Sequence, residues 1–211
     1  MTHPNSISRP VSAETPEQAA AGKPDSALAK AALRRHLLQA RRAVSAELRA
    51  VWGQAIAARL QQWCGQHQPR SMGVYWPIQA EPDLLALYPA LASSGIQLAL
   101  PVVQGKDAPL TFIPWVPGDV MEKDAYGIPI PALRDKPVWP EVLLIPCVGF
   151  NPGKYRLGYG GGYYDRTLAA VPGSRPPATI GIAYQCGLAE FGHEPHDAAL
   201  DFVITETAVL A

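Results

Sequence analysis

The sequence predicts an α/β protein, a three-layer α/β/α sandwich built on a mostly parallel sheet. Three observations carry that prediction. Short apolar runs alternate along the chain with stretches of helical period, as repeated strand–helix units require. One run, Val142-Leu-Leu-Ile145, is apolar at every position, the pattern of a central strand buried on both faces. The chain of 211 residues, 48% hydrophobic and 17% charged, is also large enough to fill such a core.

Met1 to about Asp25 is rich in Pro, Ser, Thr, Ala and Glu and has no hydrophobic period, so it reads as a disordered leader to a domain spanning 26–211. Ser26 is placed to cap a helix running to about Arg42, with Leu28, Leu33, Leu37 and Leu38 on or near one stripe. Ser45 caps a second helix to about Trp63 that buries Leu48, Trp52, Ile56 and Leu60. Gly73–Trp76 is a short strand closed by Pro77, and Pro82–Ala92 a helix with proline in its first turn. Ile96–Leu100 is a strand ended by Pro101. Leu110–Trp115, crowded by Pro109, Pro114 and Pro117, belongs at the margin of the sheet. After Val142–Ile145 come a glycine-rich loop, a helix near Tyr163–Ala170, and strands at Thr179–Tyr184 and Phe202–Thr205.

Bulk charge narrows the function. Lys+Arg and Asp+Glu both number 18, so no basic excess points to nucleic acid or an anionic membrane. No apolar run approaches a membrane span, and the N-terminal segment lacks the apolar stretch of a signal peptide, which makes cytoplasm the expected location. Cys64, Cys147 and Cys186 are far apart and form no CxxC pair, so reduced, mostly buried thiols are expected rather than a zinc site or a disulfide framework.

The segment Arg156-Leu-Gly-Tyr-Gly-Gly-Gly-Tyr-Tyr-Asp-Arg166 is the most informative in the chain. Its glycines free the backbone for close approach to another molecule, and an amide-rich loop running into a helix start suits phosphate. It matches neither the Walker A loop nor the dinucleotide fingerprint, because Tyr163 stands where the latter needs its third glycine. A tight structural turn therefore stays open on spacing alone. The flanking residues favour a nucleotide with magnesium: Lys154 and Arg156 supply cations before the glycines, and Asp165 a carboxylate after them.

Pro146-Cys-Val-Gly-Phe150, followed by Arg156–Asp165, closely resembles the signature of the 5-formyltetrahydrofolate cyclo-ligase (methenyltetrahydrofolate synthetase) family. Lys30-Ala-Ala-Leu-Arg34, Tyr75-Trp76 with Glu81, Leu100-Pro101, Gly127-Ile-Pro-Ile-Pro131 and His196-Asp197 extend the resemblance over nearly the whole chain after the leader. It implies a Rossmann-like fold of the NagB/RpiA/CoA-transferase-like kind. It also implies an enzyme that uses ATP as co-substrate, with Mg2+, to close 5-formyltetrahydrofolate to 5,10-methenyltetrahydrofolate. Such an enzyme positions reactants and neutralises charge rather than supplying a nucleophile.

The resemblance assigns roles by position. Lys30 and Arg34, one helical turn apart, would approach the ATP phosphates, with Arg34 also near the folate. Lys30 and Arg156 would be the catalytic cations. Arg156, Leu157, Gly158, Tyr159, Gly160, Gly161, Gly162, Tyr163 and Tyr164 would form the ATP loop, and Tyr159–Tyr163 would also border the folate. Glu81 would take the pterin N–H donors and Trp76 would contact folate. Asp165 and Asp197 would be the metal-associated acids. Without the family, Lys30 and Arg34 read equally as a solvated basic helix face, the tyrosines and Trp76 as packing, Glu81 as a surface residue, and His196-Asp197 as a loop turn. His193 and His196, three apart in a Gly/Pro loop, make a poor metal pair.

Three features depart from the family pattern. Asn151 replaces the usual aspartate, and Gly153 stands one place early, so the loop's anchoring is expected to differ. Gly161 also replaces a lysine that some members carry. A monomer acting on small molecules is expected. The alternatives are a paralogue activating another formyl substrate, as in thiamine salvage, and a nucleotide-binding module that does not catalyse.

Overall fold

The structure, a computed structural model, describes residues 23–171, 176–194 and 197–211. In chain order the elements are helices α1 (Lys23–Ala43) and α2 (Ala46–His67), strand β1 (Ser71–Gly73), helix α3 (Tyr88–Ser93), and strands β2 (Gln97–Val103), β3 (Leu110–Pro114), β4 (Met121–Lys123), β5 (Pro129–Pro131), β6 (Val142–Pro146), β7 (Gly149–Phe150) and β8 (Arg156–Leu157). Helix α4 (Tyr163–Ala169), strand β9 (Ala178–Ile182), a 3-10 turn at Gln185–Gly187, and strands β10 (Phe202–Ile204) and β11 (Val209–Leu210) complete it.

Seven strands form the main sheet in the order β11-β10-β9-β6-β1-β2-β3, parallel except for β3 and β11 at its two edges. The fully apolar β6 lies fourth of seven, as its pattern requires. Side chains alternate across it. Val142 and Leu144 join Ile56, Leu60, Tyr88, Leu98 and Ile180 in the core under α2 and α3. Leu143 and Ile145 join Phe112, Phe150 and Val203 in the core against which Tyr163, Tyr164 and Leu168 of α4 pack. The three layers are therefore α2/α3, sheet and α4. A third cluster, Leu37 with Val148 and Leu157, seats α1 on the β7–β8 hairpin.

Several boundaries differ from expectation. Helix α1 begins at Lys23, ahead of Ser26, because a proline is tolerated in the first turn, where its missing N–H has no helical partner. The rest of the expected leader, 1–22, lies outside the described residues. Ser45 caps α2 as expected, accepting from the Leu48 amide at 3.2 Å. Helix α2 then continues past Trp63 to His67. Leu48, expected to be buried, is 43% exposed. The helix expected over Pro82–Ala92 shrinks to Tyr88–Ser93. The preceding stretch is held otherwise, by Tyr75 donating to the Pro82 carbonyl at 2.6 Å and the Asp83 carboxylate accepting from Leu85 N. Strand β1 stops at Gly73, and β2 runs through Pro101 to Val103. Pro101 lies beyond the last residue paired with β1, so its missing N–H interrupts no ladder there.

Candidate active site

Along the chain, the strands move from β1 out to β2 and β3, then return to β6 and move the other way to β9 and β10. The switch falls between β1 and β6, and open α/β sheets place ligands at the carboxyl ends of strands beside such a switch. A cleft of about 300 Å³ lies there, floored by Ile145 and Pro146 at the end of β6. Its walls are Lys30 and Arg34 of α1, the loop from Arg156 to Asp165, and Glu194 with Asp197.

The cleft is built by long-range contacts. Arg34 donates from Nε to the Gly158 carbonyl at 2.9 Å, which ties α1 to the glycine loop. Lys30 Nζ lies 3.3 Å from Asp197 Oδ2 and 3.7 Å from Glu194 Oε1. Arg156, 6% exposed at its side chain, forms a short ion pair with Asp165 and reaches the Ala198 carbonyl. Three cations thus converge from α1 and β8 on one loop. Gly160 and Gly162 have φ of 93° and 66°, so glycine suits both positions. A Cβ on Gly160 would also sit 3.7 Å from the Arg34 guanidinium carbon.

The expected members differ in what they offer the cleft. Leu157 is 2% exposed and packs with Leu37, so it offers the cleft backbone only. The Tyr164 ring packs into the core beneath α4. Tyr163 lies at the rim, with its hydroxyl 3.3 Å from that of Tyr126 and Arg166 over its ring. Lys154 points away and donates to the Asp201 carbonyl at 3.0 Å, so it adds no charge to the cleft. Trp76 packs against Trp115 and the α2/α3 core and does not line the cleft. Helix α4 has only seven residues, so it presents no long helix dipole to the cleft. His193 stacks on Tyr155 with ring centroids 3.8 Å apart, and His196 lies outside the described residues.

Glu81 is 4% exposed, not a surface glutamate, and reaches the loop through one phenol. Tyr159 donates to Glu81 Oε1 at 2.6 Å, and the Ile78 amide donates to Oε2 at 2.8 Å. Burial pushes the Glu81 carboxyl above the usual range, opposed by those two hydrogen bonds and by the charge of Arg41. Arg41 was not among the expected site residues. It is 3% exposed, and its guanidinium donates to the Tyr159 hydroxyl at 2.5 Å and to the Cys147 carbonyl at 3.3 Å. A signal for it did exist: Lys30, Arg34, Leu37 and Arg41 follow the i, i+4, i+7, i+11 stripe of one helix face.

Asn151 accounts for one departure from the family pattern. Its Oδ1 accepts from Tyr155 N and its Nδ2 donates to the Phe191 carbonyl, both at 3.0 Å. A carboxylate could not make the second bond. As for a metal, Asp165 and Asp197 both border the cleft. No group of three or more His, Cys, Asp or Glu that could hold a metal ion occurs among the described residues.

The family model for the 5-formyltetrahydrofolate cyclo-ligase family matches residues 26–206. The chain belongs to the 5-formyltetrahydrofolate cyclo-ligase family. Its relatives include a cyclo-ligase of Mycolicibacterium smegmatis, 31% identical over 83% of this chain and 93% of that protein. One of Escherichia coli K12 is 30% identical over 81% and 97%. A Mycoplasma pneumoniae cyclo-ligase is 46% identical over a shorter stretch, 31% of this chain and 39% of that protein. The fold matches that of a 5,10-methenyltetrahydrofolate synthetase from Aquifex aeolicus with a TM-score of 0.73 at 29% identity, over 85% of this chain and 91% of that one. This cyclo-ligase family member is an enzyme of the ligase class, on a mixed, mostly parallel α/β sheet.

Proposed function

We propose that this protein uses ATP and Mg2+ to cyclise 5-formyltetrahydrofolate to 5,10-methenyltetrahydrofolate, releasing ADP and phosphate. One observation carries the reading beyond family membership: Lys30, Arg34 and Arg156 converge on a glycine loop at the carboxyl end of the central strand. Three cations and a glycine-rich loop suit a polyphosphate, and they are more than a tight turn would need.

The chemistry follows from the substrate. A formamide is a poor electrophile, and direct ring closure would have to expel hydroxide. In the proposed reaction the formyl oxygen attacks the γ-phosphorus, the β–γ bridge breaks, and ADP leaves. The second folate nitrogen then attacks the activated carbon and loses its proton. The C–O bond breaks and phosphate departs. No protein nucleophile takes part. Lys30 and Arg156 neutralise charge on the phosphoryl group as it transfers, and Arg34, fixed on the Gly158 carbonyl, keeps α1 and the loop in register around the reactants.

The donor set fits magnesium. Asp165 and Asp197, which both line the cleft, would provide the one or two carboxylates that Mg2+ usually takes beside phosphate oxygens. They would hold the ion, which when bound would supply charge neutralisation to the transferring phosphoryl group. In this chain each acid also holds a cation in place, Asp165 holding Arg156 and Asp197 holding Lys30. Glu81 would accept from the pterin N–H groups, with Tyr159 and the glycines between folate and nucleotide. No described helix is long and apolar enough to cross a membrane, and a cytoplasmic monomer fits the reading.

The deciding assay mixes purified protein, ATP, Mg2+ and 5-formyltetrahydrofolate and follows methenyltetrahydrofolate absorbance. Product formed with one ADP per turnover is expected. Its absence at high enzyme concentration, with ATP still bound, would favour a paralogue acting on another formyl compound.

A further inference from the structure

Arg41 stands in a place where an arginine is costly. It is 3% exposed, it has no carboxylate within ion-pair distance among the described residues, and its Nε is buried without a hydrogen-bond partner. Burying a guanidinium on such terms lowers stability, and an apolar residue would fill the position at less cost. What Arg41 does touch belongs to the site. One terminal nitrogen meets the Cys147 carbonyl just after the central strand, and the other meets the hydroxyl of Tyr159.

Tyr159 passes that contact on. Its hydroxyl accepts from Arg41 and donates its single proton to Glu81 Oε1, and its ring lies with the Arg41 carbon 5.7 Å from its centroid. The guanidinium holds only donors, so the phenol proton is obliged to face Glu81. The Ile78 amide fixes the other oxygen. A carboxylate has about four acceptor positions, of which these two donors fill two. Tyr159 is also the exposed member of the set, at 37%, and lies between Gly158 and Gly160, so it is the member able to yield to an incoming ring.

We propose that Arg41 is a positioning residue for the folate half of the site: acting through Tyr159, it fixes the direction in which Glu81 faces the ligand and supplies the positive charge a buried carboxylate needs. This rests on the cyclo-ligase reading, in which Glu81 meets the pterin donors. Arg41 touches no reacting atom, and it acts on binding of one substrate rather than on phosphoryl transfer.

The charge balance around Glu81 gives the role a signature. Among the described residues Arg41 is the cation that lowers its carboxyl, whereas Tyr75, Tyr88, Tyr164 and Cys147 on the surrounding elements are neutral at ordinary pH, their own groups held up first by burial. Removing Arg41 therefore raises the Glu81 carboxyl further. Glu81 then protonates at higher pH and ceases to accept from the ligand, so the acid limb of folate binding moves upward.

The test compares Arg41→Met, Arg41→Lys and Tyr159→Phe with the native protein. In Arg41→Met the KM for 5-formyltetrahydrofolate should rise about tenfold or more while the KM for ATP stays within about twofold, the loss expected for a hydrogen-bonded charged group. Its acid limb should move to higher pH. Arg41→Lys should restore the limb but only part of the affinity, because an ammonium keeps the charge and loses the fork. Tyr159→Phe keeps the ring and the loop amides and breaks the relay, so it should raise the folate KM more than the ATP KM; it decides the matter if Arg41→Met does not fold. Equal losses for both substrates, or an unmoved acid limb, overturn the proposal. A carbon-13 NMR titration of the Glu81 carboxyl without ligand separates the two failures. An unshifted Glu81 in Arg41→Lys and Arg41→Met alike sinks the role of Arg41, whereas a native protein that never binds the folate sinks the cyclo-ligase reading.

Discussion

Lys30 Nζ lies 3.3 Å from Asp197 Oδ2, so the first helix and the last loop before β10 close the cleft between them although 167 residues separate the two. The lysine is held by Asp197 and Glu194 before any ligand arrives, with its side chain only 18% exposed. Such preorganisation lowers the cost of fixing a flexible side chain on binding. Lys30→Met should therefore weaken ATP more than folate. A KM for ATP about tenfold higher, with folate KM within about twofold, is expected for one lost charge-assisted contact. Steady-state kinetics with each substrate varied in turn decides it, and equal losses would remove Lys30 from the phosphate site.

Asp165 serves Arg156 as well as the proposed metal. Asp165→Ala should need far more Mg2+ for turnover and bind Mg-ATP more weakly by calorimetry, with an unchanged far-ultraviolet dichroism spectrum. Asp165→Asn should fall between, since the amide oxygen can still accept from Arg156 but brings no charge. If both variants keep the native magnesium requirement, Asp165 is a partner of Arg156 and nothing more.

Elements with many residues in one pattern were readable in the sequence. The apolar period of α1 and α2, the cap at Ser45 and the uniform apolarity of β6 each add up over several positions. The cleft was readable where its lining falls within one segment, from Arg156 to Asp165. Contacts between distant segments were not. Glu81 is 78 residues from Tyr159 and Arg41 is 118, so no local spacing joins them. The β7 and β8 strands have two residues each, too few for any period to register. Proline misled in both directions: Pro82 suggested a helix start where a turn forms, and Pro101 suggested a strand end where β2 continues. In each case tertiary pairing decided what the local preference left open.

Asn151 offers a stability test of the departure from the family pattern. In Asn151→Asp the carboxylate would face the Phe191 carbonyl, where Nδ2 now donates at 3.0 Å, in a position only 8% exposed. A loss of about 1–3 kcal/mol is expected, the cost of an unsatisfied buried group. The ionised form is the disfavoured one, so the folded-state carboxyl is raised above its unfolded value. The deficit should be small below the unfolded carboxylate range and grow as pH rises through it. Denaturant unfolding at pH 4 and pH 8 measures this. A deficit larger at pH 4 would contradict the assigned orientation of the amide.

Gly149 is where the hairpin meets both α1 and the 3-10 turn. A Cβ there would fall 2.5 Å from Leu37 Cδ1 and 2.9 Å from the Gly187 carbonyl oxygen. The leucine can rotate, but the carbonyl belongs to the backbone, so Gly149→Ala must displace one of the packed elements. Leu37 lies on the α1 stripe that carries Lys30, Arg34 and Arg41. Moving it would disturb both proposed substrate sites at once. Gly73→Ala in β1 is the matched control, since its Cβ would meet Leu143 and Phe112 side chains at 2.7 Å inside the core, away from α1. Both should lose about 1–3 kcal/mol through overpacking. Only Gly149→Ala should raise the KM values for ATP and folate together, because α1 carries groups proposed to meet both. If Gly73→Ala impairs the two KM values as strongly, the cleft depends on core packing generally and not on the seating of α1.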